Sequence, residues 1–405
     1  MSIQAELIFN LPWGVAKLGA FKALVNKVLR CTARLLFRLD KTLIVILVHN
    51  EGSGNNLVPI LEALKNGKIQ NCKVKVLEPQ EQSARTLIQK LLSKWQTLKW
   101  VAKAKVLLST HGCERKLRKR TVYIELWHGF PTKKAGLMDM RVQKYEGTPD
   151  IFCSYSEFGT VLRNACLGLS INRYVITGAP RNDYLLTSNG RRNLEELFDI
   201  DLEGKKVVIF APTFRVGWQD FVEGNKSRDN LFGFQRFDLQ LFIDFLKANN
   251  IVFFMKLHPN EEHFFVDHYK GFESKHIRVI DSLQLKQARI DFYQLLNGAD
   301  LLITDYSSVY FDWLLLDRPV IFIPVDLKEY KETRGGWLLD YEYWTAGPKC
   351  VDQKTLQAEI KRCLEESNYY KEQRQFICNL VHKYKDANST ERVLQLIEKA
   401  LGGER

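Results

Sequence analysis

The chain has 405 residues, of which 45% are hydrophobic and 12% aromatic, so it can bury two or three globular cores and is not a disordered protein. An excess of 59 Lys and Arg over 47 Asp and Glu gives a net charge of +12. This charge predicts an anionic partner, which can be nucleic acid, an anionic membrane or a phosphate-rich substrate. The 8 cysteines form no CxxC pair, which argues against a structural zinc site and a disulfide framework.

The amino-terminal segment, residues 1–41, is predicted to contain a basic amphipathic helix over 17–41. Apolar residues occupy helical positions complementary to basic ones that recur at steps of three and four. The basic positions are Lys27, Arg30, Arg34, Arg38 and Lys41. Two interpretations remain open: a packed terminal helix with solvated charges, or a helix that docks on a membrane surface through Arg30, Arg34 and Arg38.

No segment of the sequence is predicted to cross a membrane. The longest clean apolar run, "LIVILV" at 43–48, is far shorter than the ~20 residues that span a bilayer. The first residues, "MSIQAELIFNLPWGVAKLGAF", have no basic stretch before the apolar one and no small-residue cleavage site, so no signal peptide is expected. We therefore expect a cytoplasmic protein that associates with membranes only peripherally.

From residue 42 onward, short apolar runs typical of strands alternate with helical patterns. The first series runs from "LIVILV" through "KVKVLE", "AKVLLST", "TVYIELW" and "IFCSYS" to "YVIT", and the second from "KKVVIFAPTF" through "IVFFMKLH", "IRVI" and "LLIT" to "VIFIP". Such alternation predicts an α/β fold with parallel sheets and helices on both faces. We predict two doubly wound domains, 42–190 and 191–405, joined by the polar stretch "LTSNGRRNLEE" at 186–196.

Polar residues follow several of the predicted strands, where open α/β sheets bind their ligands. Asp305, Ser307 and Ser308 come directly after "LLIT" and before a helix, so their turn is suited to phosphate. A serine there can also be only a helix N-cap, which is the commoner role.

Two other strand ends of the second half carry similar groups. Lys256 and His258 end an apolar strand, and Thr213 and Arg215 end the first strand of that half. A histidine leaving a buried strand is more often structural than catalytic, but here three strand ends offer a hydroxyl or a cation at one predicted edge.

In the first half, "YIELWHGFPTKKAG" at 123–136 places His128 after a strand and then two lysines, Lys133 and Lys134. Histidine can accept a proton near neutral pH, and lysines suit an anionic substrate. A tight loop with solvated lysines would look the same.

Five stretches in order resemble one family, the CDP-glycerol glycerophosphotransferases of teichoic acid and polyol-phosphate capsule synthesis. They are "ELWHGFPTKKAG", "GAPRNDYL" at 178–185, "VVIFAPTFR", "MKLHP" and "ADLLITDYSSVYFDWLLLDRPVIFIP" with its continuation to 348. The resemblance spans about residues 105 to 390. It implies the GT-B architecture, two Rossmann-like domains facing a central cleft, and transfer of glycerol phosphate from CDP-glycerol to a lipid-linked acceptor hydroxyl with release of CMP.

The resemblance also implies roles for single residues. His128 of the WHG motif is the expected base, and His258 of the LHP motif is expected to contact the diphosphate. The other donor phosphate-binding residues are expected to be Thr213, Arg215, Lys256, Asp305, Ser307 and Ser308. On the acceptor side we place Lys133, Lys134, Arg181 and Asp183. Phe130 departs from the Thr common after the motif, and this leaves the acceptor open.

Other partners and donors remain to be weighed. Related enzymes use CDP-ribitol or a nucleotide sugar, and a donor panel would separate these. No nucleic-acid-binding motif appears, so nucleic acid is not an expected partner. No acidic pair is spaced for a divalent metal, and we expect no metal or other cofactor. A second basic element, "RKLRKR" at 115–120, adds Arg118, Lys119 and Arg120 to the predicted membrane-facing residues.

Overall fold

The computed structural model describes residues 11–48, 54–78, 86–112, 116–139, 148–215 and 226–402. The first half contains, in order, α1 (Leu11–Leu36), β1 (Leu43–Leu47), α2 (Leu57–Lys65), β2 (Lys73–Leu77), α3 (Leu87–Lys103), β3 (Val106–Ser109), β4 (Val122–Glu125), β5 (Ile151–Ser154), α4 (Glu157–Leu167), β6 (Tyr174–Ile176) and α5 (Arg181–Thr187). All neighbouring strands pair in parallel, in the order β2-β1-β3-β4-β5-β6.

The second half repeats the pattern. It contains α6 (Gly190–Phe198), β7 (Lys206–Phe210), α7 (Leu239–Ala248), β8 (Ile251–Lys256), α8 (Pro259–Lys270), β9 (Ile277–Ile280), α9 (Ser282–Ala288), α10 (Tyr293–Leu296), β10 (Leu301–Thr304), α11 (Val309–Trp313), β11 (Val320–Phe322), α12 (Leu327–Arg334), α13 (Tyr341–Trp344), α14 (Gln353–Glu365), α15 (Lys371–Val381) and α16 (Ser389–Leu401). Its parallel sheet has the order β11-β10-β7-β8-β9.

The strands form where the sequence is apolar enough to be covered on both faces. Every residue of β8 and β10 is buried, as is every residue of β1, which is the pattern of a parallel sheet between two helical layers. Several helices begin at side chains that accept backbone N–H bonds. Thr86 and Gln89 form a capping box for α3, and Asp281 and Gln284 form one for α9. The two doubly wound sheets that the sequence predicts are confirmed.

The predicted linker folds differently from the expectation. Residues 186–196 form the end of α5 and most of α6, with Asn189 capping α6 through Arg192 N. Gly190 allows the close approach of Asn297, because a Cβ at this position would overlap the Asn297 amide oxygen and the Gly298 backbone. The polar composition therefore marks a short break between two helices rather than an extended connection.

The last helix returns to the first half. Val393, Leu394 and Ile397 of α16 pack in the same hydrophobic core as β1 and β3. Residues near the end of the chain thus pack on the first sheet, whereas the predicted boundaries 42–190 and 191–405 assign them to the second domain. The helix predicted over 17–41 ends at Leu36, so Arg38 and Lys41 lie beyond it.

Candidate functional site

A cavity of about 170 Å³ lies between the two halves, beyond the carboxyl ends of both sheets. Both halves contribute to its lining. Of the predicted site residues, it is lined by His128, Arg181, Lys256, His258, Ser307 and Ser308. The lining also includes His111, Gly54 and Asn55 of the first half, and Phe292 and Tyr293 of the second. Parallel sheets place their ligand-binding turns at this edge, so the chemistry-bearing residues of distant motifs meet here.

The turn after β4 presents His128 to this cavity. Trp127 has a φ of +56°, a conformation uncommon for a residue with a side chain, and this aims the next residue at the cleft. His128 Nδ1 lies 2.8 Å from the carbonyl oxygen of Thr110. A carbonyl can only accept, so Nδ1 carries the hydrogen and the neutral ring holds its lone pair on Nε2. The arrangement suits a general base.

A second histidine stacks on this ring. The rings of His111 and His128 are 4.1 Å apart and almost parallel, at 3°. Desolvation in the cleft, followed by positive charge on His111, lowers the pKa of His128 well below its usual range, although the residue remains exposed to the cavity. His128 is therefore neutral at physiological pH. The sequence analysis missed His111, which follows β3 directly and obeys the same strand-end rule as His128.

Glu125 anchors the turns that carry both histidines. Its carboxylate is buried and accepts hydrogen bonds from Gly112 N and Trp127 N, each at 3.1 Å, and from the Tyr123 hydroxyl. Burial raises its pKa to about 7. An acidic residue at the end of an otherwise uncharged strand is a signal for a buried anchor, and the sequence analysis did not use it.

The turn after β8 presents His258 from the other side. Its ring lies 4.6 Å from that of Phe214. Burial, followed by the positive charges of Lys256, Lys133 and His111, lowers the pKa of His258 to about 3. Lys256 itself is buried and pairs with Glu262 of α8, and its ammonium also reaches the Leu257 carbonyl at 2.8 Å. Burial lowers the pKa of Lys256.

The Asp-Tyr-Ser-Ser turn divides its polar groups between structure and cavity. Asp305 is buried and accepts from Thr213 N at 2.7 Å and from Tyr306 N at 2.5 Å. Ser307 and Ser308 line the cavity, and Ser308 makes no side-chain cap for α11. The turn therefore offers two hydroxyls to a ligand, of which Ser307 Oγ also accepts from Val309 N at 3.4 Å, and its acid holds the segment that follows the neighbouring strand β7.

Ser308 also marks where the two halves touch. A Cβ on Gly129, in the turn that carries His128, would lie 2.5 Å from Ser308 Oγ. Only glycine permits this approach of the two turns. Phe130, the departure from the resembled motif, is buried and packs against Phe311 with ring centroids 4.9 Å apart.

Arg215 and Thr213 do not line the cavity. Arg215 is buried, and its guanidinium binds Asp305 at 2.9 Å and Asp326 at 2.7 Å. Although burial opposes its charge, these carboxylates raise the pKa of Arg215 above its usual value. The guanidinium that we predicted to bind donor phosphate is thus engaged within the second domain, and Asp305 faces this ion-pair network.

Arg181 bridges the two halves. It donates to Asp312 of α11 at 2.5 Å and to the carbonyl oxygens of Gly54 and His128, at 3.0 and 2.9 Å. Asp312 is fully buried and also accepts from Tyr293 and Asn182. Arg181 lines the cavity, but its contacts make it an interdomain tie and a support for the His128 backbone.

Asp183, predicted to lie on the acceptor side, is not among the residues that line the cavity. Its carboxylate accepts from the backbone N–H groups of Ser389 and Thr390, at 3.0 and 2.7 Å, and so caps the amino terminus of α16.

Lys133 and Lys134 belong to a segment that crosses to the second half. Lys133 donates to the Tyr330 hydroxyl at 2.7 Å, and Lys134 N donates to Gly336 O at 3.2 Å. Leu338 N completes the pairing by donating to Thr132 O at 2.8 Å. Neither lysine lines the cavity, although the charge of Lys133 acts on His258.

The predicted membrane-facing residues differ in their engagement. Arg34 and Arg38 are exposed, as are Lys119 and Arg120. The Arg118 guanidinium instead donates to the carbonyl oxygens of Arg34, Phe37 and Ala102 and holds the end of α1 against α3. Arg30 is half-buried.

Neither a metal-binding cluster nor a membrane-spanning helix is found in the ranges given above. Within those ranges, no three His, Cys, Asp or Glu residues are grouped to hold a metal ion. The helices that they contain are too short or too polar to cross a bilayer.

Comparison with known proteins gives concordant matches. Residues 30–399 match the family described as CDP-glycerol:poly(glycerophosphate) glycerophosphotransferase. The teichoic acid glycerol-phosphate primase of Bacillus subtilis (strain 168) is 30% identical over 297 residues, covering 70% of each chain. The teichoic acid glycerol-phosphate transferase of Staphylococcus aureus (strain NCTC 8325 / PS 47) is 28% identical over 301 residues, covering 69% of this chain and 72% of that protein.

The fold also matches a solved structure. The wall teichoic acid polymerase TagF superposes with a TM-score of 0.70 at 20% identity, covering 95% of this chain and 97% of that one.

Proposed function

Because this chain belongs to the CDP-glycerol:poly(glycerophosphate) glycerophosphotransferase family, we propose that it transfers glycerol phosphate from CDP-glycerol to a hydroxyl of a lipid-linked acceptor. The observation that carries this proposal is the cavity in which His128 and His258 meet from the two halves beside two serine hydroxyls. A solved structure of a TagF variant with CDPG has the same fold, with a TM-score of 0.68.

His128 is the base in this reaction. The acceptor oxygen attacks the phosphorus that bears glycerol, its proton passes to His128 Nε2, and the bond from phosphorus to the CMP oxygen breaks with the electron pair leaving on CMP. Such a transfer depends mainly on positioning and on stabilising charge on the phosphoryl oxygens. In this proposal His258, Ser307 and Ser308 donate hydrogen bonds to those oxygens, and Lys256 is a buried cation of the same cavity lining.

The reaction is proposed to need no metal cofactor. The charge that would otherwise require a cation is met by histidine and lysine side chains and by serine hydroxyls on the cavity wall. Turnover that survives dialysis against EDTA would support this, and turnover restored only by Mg²⁺ would contradict it.

The test of the activity uses the purified protein. It is incubated with CDP-glycerol, CDP-ribitol or a nucleotide sugar and a synthetic lipid-linked acceptor, and CMP release and product mass are measured. We expect CDP-glycerol to be consumed with the addition of glycerol phosphate to the acceptor. Consumption of CDP-ribitol alone would reassign the donor, and the number of added units would distinguish priming from polymerisation.

The second part of the proposal concerns the membrane. Helices α1 and α3 pack together, with the ring of Phe37, just after α1, tilted against that of Trp95 at a centroid distance of 5.7 Å. Neither helix contains Asp or Glu. Together they expose apolar side chains, which we call the α1–α3 surface: Leu24, Val28, Leu35, Leu36, Ile88, Leu91 and Leu92. Basic and apolar groups on one surface fit an anionic lipid bilayer, where the lipid-linked acceptor resides.

Binding to vesicles tests this docking. The wild-type protein should bind phosphatidylglycerol vesicles at low salt and dissociate as salt rises. Replacing Arg34, Arg38, Lys119 and Arg120 by Ala should remove about 1 kcal/mol of binding free energy per side chain. Arg118 is left intact, because its replacement would release α1.

A matched control removes four exposed lysines from α12 and α14: Lys328, Lys331, Lys354 and Lys361. It should bind as the wild type does. Wild-type protein that ignores phosphatidylglycerol vesicles at low salt would contradict membrane docking.

A further inference from the structure

His111 lies in the cavity and has no assigned role in the proposed reaction. It is exposed, it lines the cavity, and its ring stacks on that of His128 at 4.1 Å. Thr110 holds both rings: its carbonyl oxygen accepts from His128 Nδ1, and its hydroxyl lies 2.9 Å from His111 Nδ1. A stack fixed by one residue from two turns is a built arrangement rather than a chance contact.

The backbone beneath the stack is equally fixed. Glu125 accepts from Gly112 N on one turn and from Trp127 N on the other. Arg163 stacks on Trp127 at 4.3 Å and donates to Gly129 O at 3.0 Å. Both turns are therefore held by hydrogen bonds to buried side chains, Glu125 and Arg163.

Stacked imidazoles can share only one positive charge. Two unit charges about 4 Å apart repel by roughly 4 kcal/mol in a surface-like dielectric. Parallel rings form no N–H···N bond, so no proton passes directly between them. Only one of the two rings therefore carries a positive charge at a time.

The charged groups around the stack determine which of the two rings is protonated. Arg163 and Arg181 lie near His128, and their positive charges oppose a charge on its ring. The acidic group on this side of the stack is Glu125, which accepts from Trp127 N. Lys256 and Lys133 face His258, and the charge of His111 reaches that ring too. Arg181 donates to the His128 carbonyl oxygen at 2.9 Å and Arg163 to that of Gly129 at 3.0 Å, so both cations lie against the His128 turn and a positive charge is better placed on His111.

We propose that His111 is a further catalytic histidine beside His128 and His258, which binds the donor diphosphate as an imidazolium and, by holding that charge, keeps His128 neutral as the base. This inference rests on the proposed function. In the free protein His111 competes with His128 for the proton, and the anionic donor, whose phosphoryl oxygens His111 contacts, then holds that proton on His111. The acceptor proton then has only His128 Nε2 to go to. Donor binding thereby prepares the base for the acceptor.

The test compares His111→Phe, which keeps a flat ring but cannot be protonated, with wild type. His263→Phe, at an exposed histidine of α8 outside the cavity, is the matched control. Histidine ring protons are followed by NMR during a pH titration without substrate. We expect the His128 pKa to rise by about one unit in His111→Phe, since a neighbouring like charge disfavours the charged form, and to be unchanged in His263→Phe.

Kinetics give the second readout. The acidic limb of the kcat/KM profile, which reports the base in the free enzyme, should move to higher pH, and KM for CDP-glycerol should rise about tenfold. His111→Gln, which cannot carry charge but can donate a hydrogen bond, should show the same shift of the limb with a smaller change in KM. An unmoved limb with unchanged KM would show that His111 only packs against His128.

The two proposals fail separately. If the wild-type protein does not consume CDP-glycerol, the proposed function is wrong, and titration of His128 together with calorimetric binding of inorganic pyrophosphate still decides the role of His111. Pyrophosphate that binds wild type and His111→Phe equally would overturn the inference.

Discussion

The turn after β4 and the turn after β8 occupy the same topological place in the two halves, but they are built differently. In the first, a buried carboxylate and the left-handed backbone of Trp127 hold an exposed histidine with a fixed tautomer. In the second, a buried ion pair and the helix that begins at Pro259 hold a histidine packed against Phe214. One turn is suited to taking a proton, and the other to donating hydrogen bonds beside a cation.

The largest expected effect comes from removing the buried ion pair that supports the turn after β8. Lys256→Met leaves the Glu262 carboxylate buried without its cation, so the free energy of unfolding should fall by about 3–5 kcal/mol. Urea denaturation measures it. Lys270→Met, which removes a partly exposed partner of Asp281, is the control and should cost about 1 kcal/mol or less. A loss below that of the control would contradict the supporting role of the ion pair.

The next effect separates the two histidines by activity. His128→Ala and His258→Ala should each lower turnover at least ~10²-fold, the typical cost of losing a general base or a key electrostatic contact. Only His258→Ala should also raise KM for CDP-glycerol, because His258 is expected to contact the donor. Melting temperatures should stay close to that of wild type. Near-normal turnover in either variant would show that its assigned role is wrong.

Titration of Glu125 and of His258 should make the stability of the protein depend on pH in opposite directions. Burial raises the pKa of Glu125 to about 7, so the folded state binds more protons than the unfolded chain between about pH 4.5 and 7, and stability falls as pH rises through that window. Burial, then Lys256, lowers the pKa of His258 to about 3, so stability falls as pH drops from about 6.5 towards 3.

Denaturation across pH measures both slopes. Relative to wild type, Glu125→Gln should flatten the upper window by about 1–3 kcal/mol and His258→Gln the lower window by about 1 kcal/mol or more. If each variant instead shifted stability equally at all pH values, neither group would titrate as described.

The smallest effect concerns the serines that lie between the two turns. Replacing Ser307 and Ser308 by Ala should weaken CDP-glycerol binding by about 1 kcal/mol per lost hydrogen bond, with little change in melting temperature. Ser156→Ala is the control, since its hydroxyl caps α4 and should affect stability alone. Calorimetric titration decides it. Unchanged affinity with a large loss of stability would make both serines structural.

Local patterns predicted the elements that local chemistry determines. The strands lie where the sequence has short apolar runs. The rule that ligands bind after strand ends correctly grouped His128, His258 and the two serines, which line one cavity. Arg215 and Arg181 could not be placed in this way, because their partners Asp326 and Asp312 are more than a hundred residues distant in the chain. A cation at a strand end looks the same in sequence whether it faces a ligand or a buried carboxylate.

Other features were visible but carry weak signals. His111 follows a strand in the same way as His128, and Glu125 is an acid inside an apolar strand. The packing of α16 against the first sheet could not be predicted from the local sequence, because an amphipathic helix does not specify which apolar surface will cover it.

That return sets the order in which the protein can be completed during synthesis. The first sheet ends at Ile176, but Val393, Leu394 and Ile397, which cover part of its core, are added about 200 residues later. At ~5–20 residues per second the ribosome takes roughly 10 to 40 s over that interval. Throughout it, apolar side chains of β1 and β3 lack their final neighbours. The nascent first half is therefore a natural client for chaperones, and it closes only when the second half has been made.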